Sequence, residues 1–128
     1  MILRSTILVA ALTAIGTASF ATCPENPTGW NWTLGEGDER VDGSVVSKML
    51  VGKKVKYSDA GTENYGADGS YSYKYKGDTY RPNGYVFYKD GSRCLSYAAG
   101  PRHDLYVMND GDLYLINGQG QRFKARIR

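Results

Sequence analysis

The chain has 128 residues, enough for one domain, and carries 16 Lys and Arg against 13 Asp and Glu, a formal net charge of +3. So weak a basic balance excludes a dedicated nucleic-acid binder, whose domain is strongly basic. Eleven Tyr and sixteen Gly suit strands joined by tight turns.

The segment from Met1 to Ala21 reads as a secretory signal peptide: Arg4 gives a positive start, Ile7 to Ile15 is a short apolar run, and Ser19-Phe20-Ala21 places small residues at a cleavage site. The run is shorter than the roughly 20 apolar residues that span a bilayer, and no later segment is apolar enough. The expected product is exported, periplasmic or secreted, with no transmembrane segment. Cys23 and Cys94 both survive cleavage, and an even count in an exported chain reads as one disulfide. The alternative for Cys23 is lipid attachment, although Phe20 stands where Leu is usual and Thr22 where Gly, Ala or Ser is expected.

Residues 22–43 form an irregular, acidic lead-in broken by Pro24, Pro27 and several glycines. Trp30 and Trp32 within it either pack on the open end of a sheet or form a sugar or ligand platform. Residues 44–128 are read as a single β domain. Its one helix is Ser44 to Leu50, with Ser44 as cap, Val45/Met49 and Val46/Leu50 at helical spacing, and Gly52 to close it. After Gly52 the period changes to two. Lys54 to Tyr57 starts a strand, and Tyr71, Tyr73 and Tyr75 then alternate with polar residues. Gly77 to Gly84 reads as a turn region. The strands Tyr85 to Tyr88, Arg93 to Tyr97, Leu105 to Met108, Leu113 to Ile116 and Arg122 to Ile127 follow.

The dipeptides Asp68-Gly69, Asp90-Gly91 and Asp110-Gly111 mark hairpins, the favoured two-residue type needing positive φ at both positions. Their regular spacing predicts successive hairpins of one antiparallel up-and-down meander. Seven strands are visible, and an eighth near Tyr65 would complete a small barrel.

The last strand alternates cleanly, with Phe123, Ala125 and Ile127 on one side and Arg122, Lys124, Arg126 and Arg128 on the other. The cationic side is either a solvated face that discourages strand addition or a surface for an anionic partner, such as an envelope polymer or an acidic protein. No cofactor or metal site is expected. Asp38 to Met49 starts like a calcium loop but has Arg40 and Met49 where ligands belong. His103, the single histidine, has no visible nucleophile or carboxylate pair to work with.

The order Leu50-Val51-Gly52-Lys53-Lys54-Val55, Tyr65, Asp68-Gly69-Ser70-Tyr71, Gly84-Tyr85-Val86-Phe87, Asp90-Gly91, Cys94-Leu95-Ser96-Tyr97 and Asp104-Leu105-Tyr106-Val107 resembles small exported proteins of Gram-negative bacteria known only as domains of unknown function. The resemblance implies a lipocalin-like β-meander and brings no catalytic residues. In that group a second cysteine often precedes the segment matching Asp104 to Val107; His103 stands there instead, which leaves Cys23 as the partner for Cys94. Two functions follow. The first is a non-catalytic binding protein presenting its sheet or barrel surface to an envelope component, a small ligand or a partner protein, including as an inhibitor. The second is a small secreted enzyme with a site assembled from His103, Asp104 and tyrosines. A cavity enclosing convergent polar groups would favour the enzyme or a ligand carrier, and a solid interior with outward features the interaction protein.

Overall fold

The period-two segments fold into one curled antiparallel sheet. The structure is a computed structural model that describes residues 22–27 and 30–128; the expected signal peptide, 1–21, lies outside the described residues. The elements in chain order are β1 (Glu39–Arg40), α1 (Gly43–Leu50), β2 (Lys54–Tyr57), β3 (Thr62–Tyr65), β4 (Tyr71–Tyr75), β5 (Asp78–Tyr80), β6 (Tyr85–Phe87), β7 (Ser92–Tyr97), β8 (Gly100–Asn109), β9 (Asp112–Ile116) and β10 (Arg122–Ile127). The sheet order is β5-β4-β3-β2-β10-β9-β8-β7-β6, with β1 paired to β8. The first and last long strands meet, Val55 opposite Ile127, so the meander curls into an incompletely closed barrel. No described helix is long and apolar enough to cross a membrane.

The seam falls between β5 and β6, and strand direction explains it. Six antiparallel pairings lead from β4 round to β7, so β4 and β7 run the same way. Their outer neighbours β5 and β6 therefore share a direction too and cannot form a hairpin. Parallel pairing would need a crossover of about a dozen residues, which the short link from Arg81 to Gly84 does not supply. Residues 78–87 instead behave as one strand that leaves β4 and joins β7 halfway, beyond a bend containing Pro82.

Turn chemistry divides the Asp-Gly sites. Asp110 and Gly111 both have positive φ, 49° and 81°, as a type I′ turn demands. At Asp68-Gly69 and Asp90-Gly91 only the glycine does. There the aspartate carboxylate accepts from the following serine instead: Asp90 Oδ1 lies 2.9 Å from Ser92 N and 2.5 Å from its Oγ. The chain thus makes a tighter first turn and leaves the glycine to reverse it. Lys76-Gly77, with φ of 50° and 84°, is the second turn of the primed type. It creates β5 inside the stretch read above as turn.

Helix α1 begins one residue earlier than expected because Asp42 caps it, its carboxylate accepting from Ser44 N at 2.8 Å. Val46 and Leu50 are fully buried, each worth about 1.5–3 kcal/mol relative to exposure. Gly43 sits so close to the β6–β7 turn that a β-carbon there would lie 2.0 Å from the Tyr88 carbonyl oxygen.

The lead-in, irregular apart from β1, is a strap over the outer face of the sheet. Cys23 bonds Cys94, with Cα atoms 5.8 Å apart. Tyr88 donates to the Pro24 carbonyl at 2.5 Å, Trp32 Nε1 to the Asn117 carbonyl at 3.2 Å, and Asn109 to Asp38 at 2.8 Å. Strands β8 and β9 are covered on both sides as a result. Leu105, Val107 and Ile116 form a small second core beneath Trp32 and Tyr114.

Candidate functional site

Alternation along β7 and β8 sends Arg93 and Leu95 inward with Arg102, Asp104 and Tyr106, and sends Cys94, His103 and Leu105 outward. The inward set meets Glu63 and Tyr65 of β3 and Tyr57 of β2. Arg93, 1 % exposed, donates through Nη1 to Glu63 and to the hydroxyls of Tyr65 and Tyr106, and through Nη2 to Asp104 at 2.6 Å. Tyr57 and Tyr106 share a 2.7 Å hydrogen bond. Burial, with the Glu63 carboxylate adding to it, pushes the phenols of Tyr57 and Tyr71 well above their ordinary value, so they stay neutral. A void beside Arg93 and Tyr73 measures about 10 Å³, room for about one water.

The open features lie at the end of the barrel where β7 turns into β8. On the outer face, a cleft of about 670 Å³ is lined by Trp30, Asn31, Trp32, Arg102, His103 and Gln119, among others. The two indoles meet edge to face, 6.4 Å between centroids, and Trp30 also lies against the His103 ring. Asn117 shapes the cleft: its Oδ1 accepts from the backbone N–H groups of Gln119 and Gln121 at 3.0 and 2.9 Å, holding the β9–β10 turn. His103 Nδ1 is buried with no hydrogen-bond partner, and burial holds its pKa below the ordinary value, against the opposing pull of Asp104. His103 and Asp104 are neighbours on a strand and face opposite sides, so the carboxylate serves Arg93 and Arg102 and is turned away from the imidazole.

Across the seam a second opening, a groove of about 840 Å³, runs between Tyr73, Tyr75 and Tyr80 on one bank and Tyr97, Pro101 and Arg102 on the other. The Tyr73 and Tyr75 rings are nearly parallel, 8° between planes and 6.2 Å apart. Burial, with the Asp59 carboxylate next in effect, pushes the Tyr73 phenol up to about 12. Arg102 borders the cleft, the groove and the inner void.

Of the residues singled out from sequence, Trp30 and Trp32 share the cleft. Arg122, Lys124 and Arg126 lie on the same outward side of β10, on the sheet face that also carries the cleft, with Arg122 directly after the β9–β10 turn. The stripe is not uniform. Arg122 is clamped on Asp38 at 2.5 and 2.6 Å and holds that carboxyl well below the usual range, and Lys124 pairs with Asp112 at 3.1 Å. Among the described residues no three His, Cys, Asp or Glu are grouped to hold a metal. Sequence reasoning passed over Glu63, Arg93 and Arg102. The signal for Arg93 was its inward register with Leu95 and Tyr97, a charge where the pattern asks for an apolar residue. Comparison with protein families, curated proteins and solved structures returned no match to the chain.

Proposed function

We propose that the protein is an exported, non-catalytic binding protein of the lipocalin-like meander type, and that its outer face, the tryptophan cleft continued by the β10 stripe, takes an envelope polymer. The supporting observation is the contrast between the two sides of the sheet. Inside, Glu63, Asp104 and the hydroxyls of Tyr65 and Tyr106 are all engaged by the Arg93 guanidinium, beside a void the size of one water. Outside, an open cleft is lined by Trp30 and Trp32 with the exposed side chains of Asn31 and Gln119 beside them. Aromatic faces with a few placed polar groups are what a recognition site needs. A pairing of His103 with Asp104 in a catalytic site has no support from their opposed directions.

Both tryptophans of the chain lie in the cleft, so their fluorescence reports occupancy directly. Mature protein titrated with solubilised envelope polysaccharide is expected to show a saturable change in emission. Trp30→Ala and Gln119→Ala are expected to weaken it while leaving the melting curve of the Gln119 variant unchanged. An emission that ignores the polysaccharide, with no retention of the protein on envelope fragments, would refute the reading.

A further inference from the structure

Arg102 points inward at the rim where the cleft, the groove and the inner void meet, and it is held differently from the charged groups of the outer face. Its Nε lies 3.2 Å from both oxygens of Asp104. That carboxylate is fully buried and gripped from behind by Arg93 Nη2 at 2.6 Å. The guanidinium centre sits 5.9 Å from the Tyr73 ring centroid, a cation–π contact that fixes its plane further. Among the described residues nothing accepts from Nη1 or Nη2, and the side chain is 40 % exposed. An anchored guanidinium with two free terminal nitrogens is a preformed fork for a planar oxyanion.

We propose that Arg102 is a carboxylate receptor, and that the polymer bound at this face is a uronic-acid-type sugar chain crossing Arg102 from the tryptophan cleft to the tyrosine groove. This rests on the binding reading above and names its ligand class. The aromatic surfaces on both sides argue for sugar: Trp30 and Trp32 on one, the parallel rings of Tyr73 and Tyr75 on the other. The cleft and groove, about 670 and 840 Å³, are each of ligand-binding size. Geometry argues for a carboxylate: its two coplanar oxygens match the two free terminal nitrogens of a single anchored guanidinium. Arg126, exposed on the outer face that also carries the cleft, suits a further acidic residue of a repeating chain.

The test titrates the mature full-length chain with hexagalacturonate and with its methyl ester, which keeps the sugars and removes the charge, following tryptophan emission and heat. The acid is expected to bind at least about tenfold more tightly, the worth of one good charged hydrogen-bond pair. Arg102→Gln is expected to erase that preference, so that acid and ester bind alike, and Arg102→Lys to keep part of it. The acid–ester comparison on the natural protein decides the question even if the glutamine variant does not fold. Equal binding of acid and ester overturns the carboxylate proposal and leaves the binding protein standing. Binding of hexaglutamate through Arg102 with none of hexagalacturonate overturns it in favour of a peptide. Failure of both sugars, together with indifference to envelope polysaccharide, removes the functional reading as well.

Discussion

Arg93 Nη2 and Asp104 Oδ2 lie 2.6 Å apart with both side chains out of solvent, and the same Oδ2 receives Arg102 Nε at 3.2 Å. One carboxylate thus ties a buried arginine, which organises the core, to an exposed one at the rim. The core depends on the pair being complete. Arg93→Met leaves Glu63 and Asp104 without their shared counter-ion and is expected to cost about 3–5 kcal/mol. Tyr57→Phe, which removes one side of a neutral hydrogen bond, should cost about 1 kcal/mol. Urea denaturation at neutral pH separates the two.

The close approach of α1 to the β6–β7 turn gives a second prediction. Gly43→Ala drives a methyl group toward the Tyr88 carbonyl, where 2.0 Å is available. The helix or the turn must shift, at about 1–3 kcal/mol by the usual cost of overpacking. Ser44→Ala, at an exposed neighbouring position, should stay within about 0.5 kcal/mol. Melting curves of the two variants, which differ by one position, make the comparison.

The strap is tied by the Cys23–Cys94 bond across a sequence separation of 71, which in the chain-entropy model stabilises by on the order of 4 kcal/mol. Replacing both cysteines by Ser should lower the melting temperature by well over 10 °C, at roughly 4–8 °C per kcal/mol for a domain of this size. Trp30 and Trp32, held on the sheet by the strap, should shift their emission to the red at temperatures where the natural protein is still folded. Coincident fluorescence and circular-dichroism transitions with an unchanged midpoint would contradict this.

His103 gives a pH dependence of known sign. Burial lowers its pKa in the folded chain below the ordinary 6.5, so between those two values the unfolded state binds more protons. Its contribution to stability is present above 6.5 and is lost as pH falls through the folded value. His103→Gln should therefore flatten the fall in stability between about pH 7 and 5. Urea midpoints of the two proteins at the two ends of that range test it; parallel losses would show that the imidazole is not the group responsible.

The sequence by itself determined the class of the fold, the single short helix, most strand positions and the disulfide. Each of these depends on local pattern: period-two alternation in β2, β4 and β10, helical spacing at Val46 and Leu50, Asp-Gly punctuation, and a cysteine count of two. Where the sheet opens, and which charges meet, was decided only by the tertiary structure. The split at β5 and β6 follows from strand directions summed around the sheet, a global property that no window of residues contains. The same holds for Glu63 and Arg93, on β3 and β7. Arg93 faces Asp104 across one hairpin, but only the curling of the sheet brings Glu63 to them and completes the buried group. The cleft is of the same kind. Trp30 and His103 are separated by most of the domain, and the strap that the disulfide holds across the outer face is what brings them together.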